Sequence, residues 1–272
     1  MTTLQTPTTA TAEPTTVGTG RVFGAVLRRD LYVTWRELPV FLAQVIGQPL
    51  FILFVFGRVL ADLGFTRPGY TEVLFPGIVA LTTVLTALQS TALPLVIDFS
   101  YTKEVEDRLL APMPVGMVAL EKVVFAALRA MVAAAVLFPL GILILGSIPW
   151  RAGGVPLLIA VLVLGSVVGS ALGLILGTAV PVNRINVVFA LILTPLLFTG
   201  ASQYPWASLD HLRWFQVVTA LNPLTYVSEG LRAALEPTVP HIEPWISILV
   251  LAACTVAFTA TGIRLFLRRA ID

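Results

Sequence analysis

The sequence predicts an all-α integral membrane protein with six transmembrane helices, and three observations support this. The chain is 57% hydrophobic and only 12% charged, its mean hydropathy is +0.92, and soluble domains are about a quarter charged. Six apolar runs occur, and most reach the ~20 residues needed to cross a bilayer. The charges are clustered: eight lie within residues 98–122, and the apolar runs on either side contain a single charge, Arg129.

The first 38 residues precede the spans. Residues 1–20 are rich in Thr and Pro and have neither the basic start nor the apolar core of a signal peptide, so we expect a disordered cytoplasmic tail. Residues 21–38 mix Arg28, Arg29 and Arg36 with large apolar side chains, which is typical of a helix that lies in the membrane interface. An ordinary solvated leader is the alternative interpretation.

The transmembrane domain is predicted to cover residues 39–272 of a multi-pass protein of the cell membrane. An even number of spans puts both termini on one side. If that side is the cytoplasm, twelve Lys and Arg residues lie inside or at the inner boundary and five lie outside, as the positive-inside rule expects. Residues 98–122, named here the charged connection, are then cytoplasmic. The spans are predicted at about 39–57, 73–97, 123–148, 152–180, 185–200 and 246–263.

Spans one and two carry polar side chains at helical spacing. Gln44 and Gln48 are four residues apart, and Thr82, Thr86 and Gln89 also fall on one helix face. Such stripes avoid lipid. They either hydrogen-bond to neighbouring helices or line a path for the polar part of a substrate, and the sequence leaves both interpretations open.

Span four contains a glycine at every fourth position. Gly165, Gly169, Gly173 and Gly177 leave a smooth groove along one helix face, which lets another backbone approach closely. We therefore predict that this face packs against a helix, either of the same chain or of a second copy.

The hairpin segment, residues 201–245, is too apolar for a loop and too broken for a span. Ser208 followed by Asp210 predicts the start of one helix, and a second helix follows. Two helices of about 12 residues would each be roughly 18 Å long, too short to cross the membrane. Together with the short fifth span they are expected to dip into the outer leaflet as a re-entrant hairpin. An amphipathic surface loop is the alternative.

The second helix of the hairpin segment has the clearer start. Asn222 supplies a capping side chain, Pro223 takes the first helical position, and Pro237 follows the predicted end. Glu229 and Arg232 are three residues apart, so they could form an ion pair within this helix.

The sequence contains no recognisable catalytic, nucleotide-binding or metal-binding motif. There is no GxxxxGKS or GxxxxGKT phosphate loop, and His211 and His241 have neither metal-ligand spacing nor an acid suited to a catalytic dyad. Cys254, the single cysteine, lies in an apolar run and suits a small buried hydrophobe. A net charge of +2 gives no signal for nucleic acid. We therefore predict no catalytic residue, no metal site and no cofactor in this chain.

Three segments, preceded by the basic leader, resemble the ABC-2 type transporter permease family, which includes daunorubicin-resistance and nodulation lipo-oligosaccharide exporters. They are QPLFILFVFG at 48–57, EDRLLAPMPVGMVALEK at 106–122 and LNPLTYVSEGLRAAL at 221–235. The resemblance covers nearly the whole chain, from Arg21 to Arg269. It implies the membrane subunit of an ATP-driven exporter.

The resemblance also implies partners. In such proteins two permease subunits, identical or related, associate with two cytoplasmic ATPase subunits that bind ATP and Mg. The loop after span two forms a short coupling helix that docks on the ATPase, braced by the leader helix. Transferred to this sequence, the coupling residues are polar contacts at Lys103, Glu104, Glu106, Asp107 and Arg108 and an apolar wedge at Leu109, Leu110 and Met113.

The substrate class stays open. Polar stripes in apolar helices suit an amphiphile, such as a lipid, a glycolipid or a hydrophobic drug, better than a free ion. Two other function classes are alternatives. A membrane enzyme acting on lipid-linked substrates would need acid, base or metal groups clustered at one interface, and a secondary carrier would need carboxylates inside the spans; the sequence shows neither.

Overall fold

The computed structural model describes residues 18–99 and 114–271, and within these ranges every regular element is helical. Six of the helical segments there are long and apolar enough to span a membrane, which confirms the predicted all-α class and the number of spans. The helices are α1 (Thr19–Arg36), α2 (Leu38–Ile52), α3 (Tyr70–Ile97), α4 (Val115–Leu145), α5 (Val155–Ala179), α6 (Ile185–Thr199), α7 (Arg213–Ala220), α8 (Pro223–Leu235) and α9 (Pro244–Ile271).

The first span extends beyond its predicted end at Gly57. α2 continues through a π-helical turn, Leu53–Val59, to Asp62, and such a turn inserts an extra residue into the helix. Gly57 fits there because the Leu145 side chain occupies the space where a Cβ would lie. The chain then turns at Gly64, whose φ of +76° is a conformation that glycine adopts without strain.

The third span is displaced towards the charged connection, compared with the prediction of 123–148. Its first two turns are residues 115–122, which the prediction assigned to the connection. α4 ends at Leu145 because Gly146 takes a φ of +80°, three residues before the approximate predicted end. Residues 100–113 of the connection lie outside the described residues.

α3 is the centre of the bundle, and α5 is its main partner. In the most apolar window of α3, 78% of the residues are buried within the chain, against 6% for the span that contains α6. A Cβ on Gly169 would lie 2.6 Å from the Val84 carbonyl oxygen, and one on Gly177 would lie 2.9 Å from that of Ala92. Glycine is required at these positions because the two backbones approach so closely. The apolar surface of α6, by contrast, is left largely uncovered by the described residues.

α8 packs against the beginning of the fourth span. The contacts run from Ala234 beside Gly154 to Val227 beside Gly165, so the two helices are antiparallel. Residues 154–165 span roughly 16 Å along a helix, about half the thickness of the hydrocarbon core. Gly165 therefore faces α8, whereas the three later glycines of the groove face α3.

The short α6 ends against the start of α8. The last carbonyl groups of a helix have no partner within it, and the capping residue and a side chain of α8 supply donors here. Asn222 Nδ2 donates to the Leu196 carbonyl (2.9 Å), and Ser228 Oγ donates to that of Gly200 (3.0 Å). Asn222 Oδ1 also accepts from the Leu224 N–H (2.9 Å), which confirms the predicted helix start.

The first helix of the hairpin segment starts later than predicted. The residues around Ser208 form a short 3-10 turn, Trp206–Leu209, and α7 begins only at Arg213 and is eight residues long. The predicted start at Ser208 and Asp210 was therefore wrong. The backbone N–H of Trp206, the first residue of this turn, donates to the side chain of Glu229 (2.8 Å), so the turn is attached to α8.

Candidate functional site

The two ends of the charged connection are held together by an ion pair. Lys122 Nζ lies 2.6 Å from Asp98 Oδ2, and each side chain is only 9% exposed. Attraction between such groups is strong because the local dielectric is low, although good geometry is needed to offset their desolvation. The pair fixes the base of α3 to α4 where the connection leaves one span and enters the next.

The leader helix lies beside the same place. Val22 of α1 packs on an apolar cluster together with Phe99, Val115 and Met117, which flank the undescribed part of the connection. The residues predicted to contact an ATPase lie outside the described residues; they are Lys103, Glu104, Glu106, Asp107, Arg108, Leu109, Leu110 and Met113.

A polar cleft of about 560 Å³ opens between α1, α2, α3 and α4, beside the Asp98–Lys122 pair. Its charged lining consists of Arg29, Asp30, Glu37, Asp98, Lys122 and Arg129. Gln44, predicted as part of a substrate path, also borders this cleft. Arg129 lies over the ring of Phe41, with 4.1 Å between Cζ and the ring centroid.

A second cleft of about 560 Å³, named here the glutamine cleft, lies between α2, α3 and α6. Gln48 and Gln89 line it, as do Thr194 and Gln203, among apolar side chains. It offers hydrogen-bonding groups in an apolar surrounding, which suits a molecule with both polar and apolar parts. Sequence reasoning singled out the first two residues and missed the other two. Thr194 belongs to no stripe, and Gln203 comes from the hairpin segment.

Thr82 and Thr86 border neither of these clefts. They are 2% and 3% exposed, and Thr82 Oγ1 donates to the Ile78 carbonyl of its own helix (2.8 Å). A buried hydroxyl satisfied in this way needs no external partner. Thr82 therefore bonds within its own helix rather than to a neighbouring one, and neither threonine lines the two clefts.

Glu229 and Arg232 form a buried ion pair inside the hairpin segment. Arg232 Nη1 lies 2.6 Å from Glu229 Oε1, and neither side chain is exposed. Arg232 also donates to the carbonyl oxygens of Val73 (3.2 Å), Ala201 (2.5 Å) and Ser202 (3.2 Å). The pair thus ties α8 to the start of α3 and to the segment that follows α6.

The carboxylate of Glu229 accepts two further hydrogen bonds from the backbone. Oε1 accepts from the N–H of Trp206 (2.8 Å), and Oε2 accepts from that of Ile242 (3.0 Å). Burial lowers the pKa of Arg232 from its ordinary value, and the adjacent carboxylate opposes this shift. The guanidinium remains charged, because arginine is not deprotonated in proteins.

Two comparisons with known proteins agree with this architecture. A family model described as ABC-2 type transporter matches residues 21–235, from α1 to the last residue of α8. A protein of Cyanophora paradoxa named "Putative transport permease ycf38" is 26% identical over 216 residues, which cover 76% of this chain and 72% of that protein. The family match includes both the charged connection and most of the hairpin segment.

Proposed function

Because the chain belongs to the ABC-2 type transporter family, we propose that this multi-pass membrane protein is the permease subunit of an ATP-driven exporter. Two permeases, identical or related, would assemble with two cytoplasmic ATPase subunits. ATP and Mg would bind on those subunits, and this chain would perform no bond chemistry of its own. Both termini would face the cytoplasm, as the distribution of Lys and Arg favours.

The observation that carries the proposal is the arrangement of the end of α3, the start of α4 and α1 around the charged connection. The Asp98–Lys122 ion pair joins the two spans at the point where the charged connection begins and ends, and α1 packs beside it. A displacement of the connection would therefore move both spans rather than be absorbed in a loop. Closure of the ATPases on ATP is the proposed source of that displacement, within the limit set by their difference in ATP affinity between open and closed states.

The glutamine cleft supports an amphiphilic substrate. It lies between α2, α3 and α6, and Gln48 and Gln89 are its polar groups from α2 and α3. We propose that these three helices shift to open the path when the ATPases close. The uncovered apolar surface of α6 is available to lipid or to the second permease. Lipids, glycolipids and hydrophobic drugs combine the polar and apolar parts that such a lining suits.

The hairpin segment is proposed to enter the outer leaflet without crossing it. Support comes from α8, which follows the fourth span for about half a membrane thickness. The short α6 also ends where Asn222 and Ser228 supply donors to its carbonyl groups. A helix end away from water needs such donors.

Charge reversal in the connection tests the coupling role. In the triple variant Glu104→Lys, Glu106→Lys and Asp107→Lys, we expect normal membrane insertion. Co-purification with the ATPase subunit, or transport-coupled ATP hydrolysis, should fall, because three proposed polar contacts change sign.

A matched control carries the same change of charge at exposed positions away from the connection. Its substitutions are Asp62→Lys, Asp210→Lys and Glu243→Lys. The control is expected to retain the ATPase and its coupling. Unchanged coupling in the connection variant would remove these residues from the proposed role.

A further inference from the structure

Two charged groups in the polar cleft have no ion-pair partner in the described part of the chain. Lys122 is paired with Asp98 (2.6 Å), and Arg29 is paired with Asp30 (3.1 Å). Glu37 and Arg129 line the same cleft and belong to neither pair. The Nε of Arg129 is also buried and has no hydrogen-bond acceptor among residues 18–99 and 114–271. Buried donors are rarely left in this state, so the cleft is suited to a ligand that supplies an acceptor.

Two aromatic rings flank the guanidinium of Arg129, which borders the cleft. Its Cζ lies 4.1 Å from the ring centroid of Phe41 and 5.6 Å from that of Phe125. A ring positioned in this way attracts the cation and takes none of its N–H groups, since an aromatic face has no lone-pair acceptor in the plane of the guanidinium. The fork of N–H groups matches the oxygens of a phosphate.

The position of the cleft favours an amphiphile over a free ion. Arg129 lies seven residues beyond Lys122 on α4, roughly 10 Å further into the proposed membrane. The lining at this level includes Val40, Phe41 and Phe125, which suit an apolar chain. With Lys122 at the inner surface of the bilayer, Arg129 would lie near the boundary of headgroups and acyl chains.

We propose that the polar cleft binds the zwitterionic head of an amphiphile from the inner leaflet, with its phosphate at Arg129 and its ammonium group at Glu37. Phosphoethanolamine lipids have this chemistry. The cleft also adjoins the glutamine cleft, because Gln44 borders the first, Gln48 borders the second, and the two lie one helical turn apart on α2. If the proposed function holds, this cleft is the access site of the transported substrate. Binding of the lipid head does not depend on the proposed function.

The test measures the lipid selectivity of the purified full-length chain in phosphatidylcholine vesicles. No ATPase is present, so a negative result would count against lipid binding and would leave the transport proposal untouched. Spin-labelled phosphatidylethanolamine, phosphatidylglycerol and diacylglycerol with the same chains are compared by the fraction that the protein immobilises. We expect phosphatidylethanolamine to be preferred over diacylglycerol by roughly tenfold, the effect of a charge-assisted hydrogen bond.

Two substitutions separate the two halves of the head. Arg129→Gln should remove the preference for phosphatidylethanolamine over diacylglycerol. Glu37→Gln should remove only its preference over phosphatidylglycerol, which has a phosphate and no amine. The controls Arg151→Gln and Glu243→Gln alter exposed residues at the opposite end of the bundle and should change neither preference.

A third variant guards against misfolding of the Arg129 variant. Ser90→Phe should also weaken binding, because it adds bulk to the lining of the cleft. It changes no charge. Preferences that survive both Arg129→Gln and Ser90→Phe would overturn the proposal. So would displacement of the labelled lipid by millimolar free phosphoethanolamine, which would assign the site to a soluble phosphate ligand.

Discussion

At the scale of single residues, Glu229 and Arg232 are two charges with no exposed surface among apolar helices. An unpaired charge in such a place costs several kcal/mol. Here the guanidinium has four acceptors and the carboxylate has three donors. Their hydrogen bonds reach α3, the segment after α6 and the segment before α9. The pair therefore organises the hairpin segment rather than α8 alone.

Removing one partner should destabilise the whole hairpin segment. Arg232→Gln leaves the Glu229 carboxylate buried without its counter-charge, and breaking a buried pair in this way costs about 3–5 kcal/mol. We expect the thermal unfolding midpoint of the detergent-solubilised chain to fall by roughly 6 °C or more. Arg67→Gln, at an exposed arginine, should leave the midpoint within a degree or two of the parent; equal midpoints for the two variants would contradict this account.

The sequence predicted part of this cluster. The spacing of three between Glu229 and Arg232 indicated the ion pair, because residues three apart share a helix face. It gave no sign of the bonds to Val73, Trp206 or Ile242, since these involve backbone groups of segments far away in the chain. Complete burial of the pair was equally hidden, because it depends on how α8 packs against α3 and α5.

At the scale of elements, the glycine groove of α5 lets its backbone lie directly against the backbone of α3. A Cβ on Gly173 would overlap the Leu88 carbonyl oxygen and lie 2.9 Å from Thr91 Cβ. Backbone atoms cannot move aside as the end of a flexible side chain can. The two helices must separate if a methyl group is added there.

A pair of identical substitutions tests this contact. Gly173→Ala should destabilise the chain by about 1–3 kcal/mol through overpacking. Gly47→Ala is the matched control, because Gly47 is also in a helix and its Cβ would meet nothing within 4 Å; it should be neutral or slightly stabilising, since alanine favours helices by up to about 1 kcal/mol. The measurement is the denaturant or thermal midpoint of each variant, and a Gly173→Ala chain as stable as the Gly47→Ala chain would refute the close contact.

Elements were predicted from sequence where one local signal decided them. Long apolar runs gave all six spans, and the capping of Asn222 gave the start of α8. Prediction failed at Ser208, where the chain forms the 3-10 turn Trp206–Leu209 and the α-helix begins only at Arg213. The end of α4 was missed by a few residues, because apolar residues continue past Gly146, whose positive φ ends the helix.

At the scale of the whole molecule, the bundle has two different ends. One end contains the Asp98–Lys122 pair, the polar cleft and the chain termini of α1 and α9; the other contains the hairpin segment and its buried ion pair. Transport driven from the cytoplasm requires the first end to face the ATPases. The proposed function therefore fixes the orientation of the chain in the membrane, which can be measured independently.

Single cysteines at the two ends provide that measurement. In a Cys254→Ala background, which removes the only native cysteine, Thr102→Cys places a thiol in the charged connection and Ser208→Cys places one at an exposed position of the hairpin segment. A thiol reagent that cannot cross the membrane should label the Ser208 variant in sealed cells and should leave the Thr102 variant unlabelled until the cells are opened. Labelling of the Thr102 variant in sealed cells would place the connection outside, out of reach of any cytoplasmic ATPase, and the coupling mechanism would fail with it. Labelling of both only after opening would instead keep the connection inside and contradict the outer position of the hairpin segment.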